Sequence, residues 1–426
     1  MNTTELKKLI SDMSDKTREV LSRIYSDISE QQGRILAAID KFEELFGKDR
    51  EVYLLSVPGR SEILGNHTDH NNGCVLAGAI DRDIIAIAAK NGTDSVNLKS
   101  EGYEKSTVSL DKKNDKNAYP KYTSESLVLG IAGGFSLRGL EVGGFDAYAT
   151  SDVLKGSGIS SSAAFEVMIG NIFSHLFNGG KVENEELAKI AQYAENEYFG
   201  KPCGLMDQMA CAVGGFVYID FEKTGEPKIV PIAFSLKDAG YRLSIVNTGG
   251  NHADLNEDYA SVPAEMKSVA RELGFEVLRP LSEEDIIKNA TALRESVGDR
   301  AILRAIHFVR ENKRVEAARA YLEGASTEEF FSVVKASGRS SFEYLQNVYT
   351  NKNVTEQGLS LALLLTEGFL GESGAFRVHG GGFAGTVQAY VKAQDSEAYA
   401  ALMESVFGAG AVMNLNIRPL GACRLF

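Results

Sequence analysis

Residues 144–177 read GFDAYATSDVLKGSGISSSAAFEVMIGNIFSHLF and join a strand, a loop and a long helix in one run. Side chains alternate between apolar and polar over 144–153, which predicts a half-buried strand. Glycines and serines follow at 156–162, and the apolar stretch behind them is typical of a buried helix. This succession predicts a protein in which strands and helices share one core.

The glycine and serine segment has the chemistry of an anion site. Gly156 and Gly158 let the backbone approach a ligand closely, and Ser160, Ser161 and Ser162 stand where the helix begins. Unpaired N–H groups at a helix start attract phosphate, and serine hydroxyls can coordinate Mg²⁺. The alternative is a capped helix after a flexible turn, since serine is a favoured capping residue. The glycines are not followed by the Gly-Lys-Ser/Thr of a P-loop, so both interpretations stay open here.

The rest of the chain mixes helices and strands without regular alternation. Apolar spacing predicts one or two helices over 4–47, and apolar or alternating runs predict strands at 51–57, 83–90 and 95–100. The second half contains several predicted helices and its own glycine-rich stretch between strand-like flanks at 374–391. This pattern favours the α+β class over a doubly wound parallel sheet.

The length of 426 residues exceeds what one hydrophobic core usually supports, so we expect two domains. Charged, turn-rich sequence at 221–240 is a reasonable boundary between them. We therefore expect an added helical segment at 1–36, a first domain at 37–225 and a second domain at 226–426.

Composition narrows the class of partner. The formal net charge of −13 argues against a nucleic-acid or anionic-membrane surface as the main partner. The four cysteines show no CxxC pairing, which favours reduced, buried thiols. The N-terminus lacks the apolar core of a signal peptide, and no apolar run is long enough to span a bilayer. We expect a cytoplasmic protein acting on small molecules, either a monomer or a weak dimer.

Residues 57–73, VPGRSEILGNHTDHNNG, are dense in polar side chains. Glycine and proline interrupt the stretch, and its polar residues are too closely spaced for a buried strand, so we predict a loop. The loop is either a polar surface turn or the lip of a binding pocket. Without other information the surface turn is favoured.

Two further segments can carry chemistry. In AENEYFGKPCGLMDQMACAVGG at 194–215, Glu195 and Asp207 flank an interrupted loop in apolar surroundings. Such carboxylates are either helix caps or working groups with perturbed pKa values. In RVHGGGFAGT at 377–386, three consecutive glycines are costly in conformational entropy. They indicate either a tight turn or backbone packed against a ligand or a strand.

In this order, the segments resemble the GHMP kinase family and, within it, the galactokinases. PGRSEILGNHTDHNNGCVL is similar to the galactokinase signature PGRVNLIGEHTDYNGGFVL, and GSGISSSAAFEV to the phosphate-loop motif of the family. AENEYFGKPCGLMDQ resembles the segment that carries the catalytic aspartate, and RVHGGGFAGTVQAYV the C-terminal glycine motif. The resemblance is collinear from about residue 37 to residue 426.

The resemblance implies a ribosomal S5-like and a ferredoxin-like domain with the active site in the cleft between them. It also implies phosphorylation of the anomeric hydroxyl of galactose, or of a closely related sugar, by ATP with Mg²⁺. The implied catalytic residues are Asp207 as base and Arg60 beside it, and the implied Mg²⁺ ligands are Ser162 and Glu195. The implied sugar contacts are Asn66, His67, Asp69, Gly204 and Tyr259. The implied nucleotide-binding residues are Gly156, Ser157, Gly158, Ser160, Ser161, Ser162, Gly381 and Gly382.

The chain departs from the galactokinase pattern around Asn66, where those enzymes carry a glutamate that contacts the 6-hydroxyl of galactose. Ser61 and Glu62 also replace a valine and an asparagine. A neutral Asn66 both donates and accepts, which suits galacturonate or arabinose better than a glutamate would, and N-acetylgalactosamine is a further alternative substrate. The competing class is a non-catalytic sugar sensor, and the retained Arg60 and Asp207 argue against it.

Overall fold

We describe the fold from a computed structural model, in which residues 1–25, 28–153, 158–223, 225–250 and 255–426 are the described part of the chain. The predicted nucleotide-binding residues Gly156 and Ser157 lie outside the described residues. No helix in the described ranges is both long and apolar enough to cross a membrane.

Within these ranges the elements form two β-sheets with helices packed on them, as expected for the α+β class. The strands are β1 (Tyr53–Leu64), β2 (Cys74–Lys90), β3 (Ser95–Ser100), β4 (Ser106–Ser109), β5 (Phe145–Ser151), β6 (Phe216–Asp220), β7 (Lys228–Ile232), β8 (Tyr241–Asn247), β9 (Ala375–His379), β10 (Thr386–Lys392), β11 (Val412–Leu415) and β12 (Cys423–Arg424). The helices of the first half are α1 (Thr3–Asp12), α2 (Asp15–Ser22), α3 (Ile28–Phe46), α4 (Ser124–Leu137), α5 (Ser161–Phe177), α6 (Asn184–Ala194) and α7 (Met206–Val213). The helices of the second half are α8 (Asn256–Glu272), α9 (Glu283–Lys288), α10 (Ala290–Ser296), α11 (Asp299–Glu323), α12 (Thr327–Ser340), α13 (Gly358–Leu370) and α14 (Ser396–Phe407).

The first sheet is built around β2. Its strand order in the described chain is β12-β1-β2-β5-β3-β4, with β6 pairing to the start of β2 and β7 pairing to β6. Neighbouring strands are antiparallel except β3 and β5, which are parallel. The second half of β2 pairs with β5. Strand β2 is therefore hydrogen-bonded to β1, which contains the first part of residues 57–73, and to β5, which leads into the glycine and serine segment.

Helices cover both faces of this sheet. Along β2, Ile84 and Ala86 belong to the main core, which also contains the apolar residues of α4–α7. The alternate residues Ile85 and Ile87 pack with the apolar residues of α1–α3. A sheet buried on both faces reads as a continuous apolar run, which is why β2 shows no polar alternation after Asp83. The N-terminal helices therefore pack on the first sheet.

The second sheet has the order β11-β8-β10-β9 and is antiparallel throughout the described residues. Helices α13 and α14 pack against it in a separate apolar cluster. Residue 226, the expected start of the second domain, does not separate the strands of the two sheets. Strands β7 and β12 both follow it in the chain and both pair within the first sheet. The chain thus returns to the first sheet at its C-terminal end.

The prediction of a loop over 57–73 is wrong for its first part, because β1 continues through Pro58 and Arg60 to Leu64. The register with β2 shifts between Pro58 and Arg60, and such a bulge accommodates a residue that has no N–H to donate. A Cβ on Gly59 would lie 2.7 Å from the carbonyl oxygen of Ile159. A glycine is therefore required where β1 passes the segment that precedes α5.

Candidate active site

The catalytic residues predicted from the sequence meet at the start of α7. Arg60 Nε donates a hydrogen bond to Asp207 Oδ1 at 2.8 Å, and the Ser160 hydroxyl donates to Asp207 Oδ2 at 2.6 Å. Arg60 Nη1 also donates to the carbonyl of Gly158 at 2.6 Å. Asp207 lies in the first turn of α7, where the helix dipole favours a negative charge. Three segments distant in sequence thus converge on one carboxylate.

The environment of Asp207 keeps it ionised. Burial alone would raise the pKa of Asp207, but the charge of Arg60 and the hydrogen bonds from Arg60 and Ser160 lower it below its usual value. The Asp207 side chain remains 34% exposed, so it can still be reached from the cleft. An ionised, accessible carboxylate beside a guanidinium can accept a proton from a bound hydroxyl.

The glycine motif 380–382 receives the side chains that we predicted to contact sugar. Asn66 Nδ2 donates to the carbonyl of Gly380 at 2.5 Å, and His67 Nε2 donates to that of Gly381 at 2.9 Å. The Tyr259 hydroxyl donates to the carbonyl of Gly382 at 2.7 Å. The third motif and the stretch 57–73 are therefore neighbours in space, although more than 300 residues separate Asn66 from Gly380.

Packing explains why glycine is needed in this motif. A side chain on Gly381 would clash with the ring of Tyr259, and one on Gly382 would clash with the carbonyl of Asn347. Gly382 also has a φ of +81°, which side chains rarely adopt. The turn is thus enforced by protein contacts. A nucleotide-binding role for Gly381 and Gly382 remains a prediction.

Two further residues predicted to contact sugar also lie close together. A Cβ on Gly204 would lie 3.1 Å from Asp69 Oδ2, so any larger residue at 204 would crowd that carboxylate. Asp69 Oδ1 accepts a hydrogen bond from the His70 backbone N–H at 2.9 Å. Burial lowers the pKa of His67, and its hydrogen bond to Gly381 opposes this only in part. His67 is therefore neutral at pH 7, with its proton on Nε2, and its Nδ1 is an acceptor.

Asn66 lies in the wall of this region, with only 1% of its surface exposed. Its amide donates both to Gly380 and, at 3.0 Å, to Glu62 Oε1, and its Oδ1 accepts from Asn347 Nδ2 at 2.6 Å. Both N–H donors of the Asn66 amide are thus already used by protein groups. Burial raises the pKa of Glu62, while Arg377 and Arg60 act against this rise. The structure therefore places a carboxylate, Glu62, directly beside the neutral Asn66.

Helix α11 holds the backbone of the polar loop, a role that the sequence analysis did not assign. Glu311 accepts from the Gly65 N–H at 3.2 Å, and His307 Nε2 donates to the carbonyl of Asn66 at 3.1 Å. Asn312 Oδ1 accepts from the Cys74 N–H at 2.8 Å. The loop between β1 and β2 is thus held at both ends by one helix.

The predicted Mg²⁺ ligand Glu195 is buried in a cluster of oxygen atoms. Gln208 Nε2 donates to Glu195 Oε2 at 2.7 Å and to Glu166 Oε2 at 3.0 Å. Burial and the neighbouring Glu195 raise the pKa of Glu166 well above its usual value. Within the described residues, Glu166 Oε1 and Gln208 Oε1 are buried without a hydrogen-bond partner. Oxygen donors of this kind fit a hard cation such as Mg²⁺.

A cavity of about 440 Å³ opens beside the start of α5. Ser161 and Ser162 line the cavity, as do Thr150 and Ser151 at the end of β5 and Val153 just beyond it. Much of the remaining lining is apolar or aromatic (Leu98, Tyr103, Tyr122, Leu127, Phe165 and Phe199), and Glu101, Glu104 and further serines complete it. A cavity that combines aromatic side chains with several hydroxyls suits a heterocycle joined to phosphates.

Comparisons with known proteins agree with this geometry. Residues 126–215 match the family model of the GHMP kinase N-terminal domain, and residues 40–90 match the galactokinase galactose-binding signature. The galactokinase of Streptomyces coelicolor is 30% identical over 385 residues, which cover 87% of this chain and 92% of the relative. The galactokinase of Clostridium tetani is 31% identical over 350 residues, covering 79% and 83% of the two chains.

This chain belongs to the galactokinase family. Among solved structures, Lactococcus lactis galactokinase complexed with galactose superposes with a TM-score of 0.75 at 25% identity, covering 92% of this chain and 100% of that chain. The mevalonate kinase of Methanococcus jannaschii superposes with a TM-score of 0.60 at 14% identity and shares the fold. The two-domain GHMP kinase architecture expected from the sequence is thus confirmed.

In this galactokinase-family chain, the sequence motifs led to the polar groups of the site but missed its supporting residues. His307, Glu311 and Asn312 lie in RAIHFVRENKRV, a segment with a weak galactokinase resemblance that could have indicated them. Tyr103 and Tyr122 in the cavity wall carried no comparable signal, because they lie in loops with no recognisable motif.

Proposed function

We propose that this galactokinase-family chain transfers the γ-phosphoryl group of ATP to the anomeric hydroxyl of galactose, with Asp207 as the base. The observation that supports this proposal is the contact of Arg60, Ser160 and Asp207, in which one carboxylate accepts hydrogen bonds from a residue of the polar stretch 57–73 and from a residue of the glycine and serine segment. Sugar kinase activity follows from membership of the family. The roles of individual residues are our inference.

Asp207 receives the proton of the sugar hydroxyl as the bond to phosphorus forms. Phosphoryl transfer passes through a loose transition state, so the protein mainly positions the reactants and neutralises charge. Arg60 keeps Asp207 ionised and fixes its orientation through the Nε hydrogen bond. Ser160 holds the second carboxylate oxygen, so the side chain cannot rotate freely.

Ser162 and Glu195 would hold Mg²⁺, which would neutralise charge on the phosphates when the nucleotide is bound. In the described part of the chain, no cluster of three His, Cys, Asp or Glu residues could hold a metal by itself. This fits a metal that arrives with the nucleotide, because Mg²⁺ commonly combines one or two carboxylates with substrate phosphates and water. Gln208 fixes the position of Glu195 by its 2.7 Å hydrogen bond.

The nucleotide would occupy the 440 Å³ cavity, with its base among the aromatic residues and its phosphates near Ser161 and Ser162. Tyr122 and Phe199 form an edge-to-face pair with ring centroids 5.4 Å apart, which gives the wall a fixed shape. The N-terminal end of α5 offers N–H groups to the phosphates. This placement brings the γ-phosphate side of the cavity towards Ser160 and Asp207.

Galactose fits the sugar region better than a sugar acid does. The neutral Asn66 alone would suit galacturonate, but its neighbour Glu62 supplies a buried carboxylate hydrogen-bonded to it at 3.0 Å. A second carboxylate on C6 would be repelled by Glu62 at close range. Hydroxyl groups, in contrast, can use the acceptors of Glu62, Asp69 and His67.

A sugar panel tests this proposal. We expect kcat/KM with ATP to be highest for galactose and lower by about tenfold or more for arabinose, galacturonate and N-acetylgalactosamine, because arabinose leaves a polar group unpaired, galacturonate brings a second carboxylate near Glu62, and N-acetylgalactosamine adds bulk at C2. Phosphorus NMR of the product should show the phosphate on C1. A higher kcat/KM for any of the three analogues, or no turnover of galactose, would contradict the proposal.

A further inference from the structure

Arg34 of α3 joins the N-terminal helices to two strands of the first sheet. Its Nη2 donates to the backbone carbonyl of Asp83 on β2 at 2.8 Å and to that of Thr150 on β5 at 3.0 Å. Its Nη1 donates to Asp83 Oδ1 at 2.7 Å and lies 2.8 Å from Asp152 Oδ2. The guanidinium thus contacts four oxygens on two strands and the residue that follows β5.

This contact is built into the interior. The Arg34 side chain is 11% exposed, and the Asp83 side chain is fully buried. Burial alone would raise the pKa of Asp83, but the charges of Arg34 and Arg418 lower it below its usual value. Tyr25, just before α3, donates its hydroxyl to Asp83 Oδ2 at 2.6 Å. The charge on Asp83 is therefore compensated from both ends of the chain.

The contacts of Arg34 fall at one wall of the proposed nucleotide cavity. Thr150, whose carbonyl Arg34 holds, lines that cavity together with Ser151 and Val153. Asp152, between them, is held by Arg34 through its carboxylate and donates its N–H to the carbonyl of Asp83 at 2.9 Å. Ser161 and Ser162 line the same cavity. A change at Arg34 would thus be transmitted to the cavity wall at residues 150–153.

From this geometry we propose that Arg34 is a positioning residue for nucleotide binding. It lies in a segment that neither family model covers, since the matches span residues 40–90 and 126–215. The N-terminal helices therefore set the shape of the nucleotide cavity as well as covering one face of the sheet. This inference rests on the proposed function, because it requires ATP in the cavity lined by Thr150 and Ser162.

The chain offers a matched control in Arg50, which follows α3. Arg50 Nη2 donates to the carbonyl of Lys90 on β2 at 2.7 Å, and its Nη1 lies 2.5 Å from Asp146 Oδ2 on β5. Arg50 thus joins the same two strands as Arg34, but at the start of β5 and away from the cavity. Asp146 and Asp152 are six positions apart, or roughly 20 Å of extended chain.

The test compares Arg34→Met with Arg50→Met. For Arg34→Met we expect KM for ATP and Kd for the non-hydrolysable analogue AMP-PNP to rise on the order of tenfold, since a buried pairing is lost at the cavity wall. KM for galactose should stay within about twofold, because the sugar region makes no contact with Arg34. Arg50→Met should lower the melting temperature without changing either nucleotide constant. Arg34→Lys should restore part of the affinity, since lysine can pair with one carboxylate.

Equal changes of both nucleotide constants in Arg34→Met and Arg50→Met would overturn the proposal, as would unchanged nucleotide constants in a folded Arg34→Met. If Arg34→Met does not fold, Asp152→Asn replaces it, because that variant keeps the contact of Arg34 with Asp83. We expect about a threefold rise in Kd for AMP-PNP in Asp152→Asn, and an unchanged Kd would contradict the proposal. Failure of the wild-type protein to bind AMP-PNP would instead contradict the proposed function.

Discussion

At the scale of single residues, the site depends on the balance of charge around Asp207. Burial favours the protonated form of this carboxyl group, and the opposing effect of Arg60 is what keeps it ionised. Ser160 and Arg60 each take one carboxylate oxygen. A carboxylate with a lowered pKa is a weak base. A weak base is sufficient here, because in phosphoryl transfer the bond to the leaving group breaks ahead of proton transfer.

This balance predicts a pH dependence for Arg60→Met. In the wild-type protein the pKa of Asp207 lies below its usual value, so the loss of its charge should not reduce kcat/KM between pH 8 and pH 5. Without Arg60 only the hydrogen bond from Ser160 and the charge of Lys201 oppose the effect of burial, so the pKa of Asp207 rises and the acid limb of the profile moves to higher pH. We also expect kcat/KM at pH 8 to fall by about 10²-fold, because a charge-assisted contact at the reacting group is lost.

The control for this profile is Arg138→Met, which removes a surface pair with Glu186. Its profile should match that of the wild-type protein. An acid limb at the same pH in Arg60→Met and in the wild-type protein would show that Arg60 does not set the ionisation of Asp207.

The neighbours of Asn66 show a limit of sequence analysis at this scale. The family comparison drew attention to the missing glutamate at position 66, which suggested a less acidic sugar region. The structure brings Glu62 next to Asn66 from four positions earlier, so a carboxylate is present after all. The partners Asn347 and Gly380 come from distant parts of the chain, and no local pattern could have indicated them. A direct contact of Asn66 with the sugar remains a prediction.

At the scale of secondary-structure elements, α11 is the support of the polar loop. Its residues His307, Glu311 and Asn312 contact the backbone at Asn66, Gly65 and Cys74. Buried backbone groups need such partners, and here side chains of another element provide them. The pKa of Glu311 is lowered to about 2, because Arg314, His307 and Arg377 outweigh the effect of burial. Glu311 therefore carries a charge at neutral pH.

This support predicts a selective effect of Asn312→Ala. The Cys74 N–H loses its 2.8 Å acceptor, so the free energy of unfolding should fall by about 1–2 kcal/mol. The end of the sugar loop is also released, and we expect KM for galactose to rise about fivefold while KM for ATP stays within twofold. Urea denaturation and steady-state kinetics measure the two effects.

Asn178→Ala is the control, since Asn178 Oδ1 accepts from the Glu141 N–H at 3.0 Å and its Nδ2 donates to the carbonyls of Glu141 and Phe173, none of which belongs to the loop. It should show a loss of stability at least as large, with no change in KM for galactose. A rise in KM for galactose of equal size in both variants would mean that general loosening, and not the loop, is responsible.

The elements themselves were predicted unevenly. Strand β3 at 95–100 and the helix behind the serines follow the predictions closely, because their apolar patterns are regular. Strand β1 was cut short at residue 57, since Pro58 and Gly59 normally end a strand. A bulge at this point keeps the strand intact at a residue that has no N–H, and the neighbouring Ile159 carbonyl requires a glycine at position 59. Only the tertiary structure reveals that need.

At the scale of the whole molecule, four motifs distant in sequence meet between the two sheets. The irregular mixture of helix and strand patterns was enough to predict the α+β class, and the order of the motifs was enough to predict the family and to indicate Arg60 and Asp207. The aromatic wall of the cavity could not be predicted, since Tyr103, Tyr122 and Phe199 come from separate segments without motifs. An added helical segment at the N-terminus was expected, and the structure shows that α1–α3 pack on the back of the first sheet and reach β5 through Arg34. No pattern in the sequence indicated the contact of Arg34.

The most direct test of the account is the turnover of Asp207→Asn with galactose and ATP. The substitution keeps the size of the side chain and an acceptor for Arg60, but it removes the base. We predict that kcat falls by about 10³-fold or more, while Kd values for galactose and AMP-PNP from calorimetry stay within about threefold of wild type. Turnover within tenfold of wild type, with both ligands still bound, would contradict the assignment of Asp207 as the catalytic base.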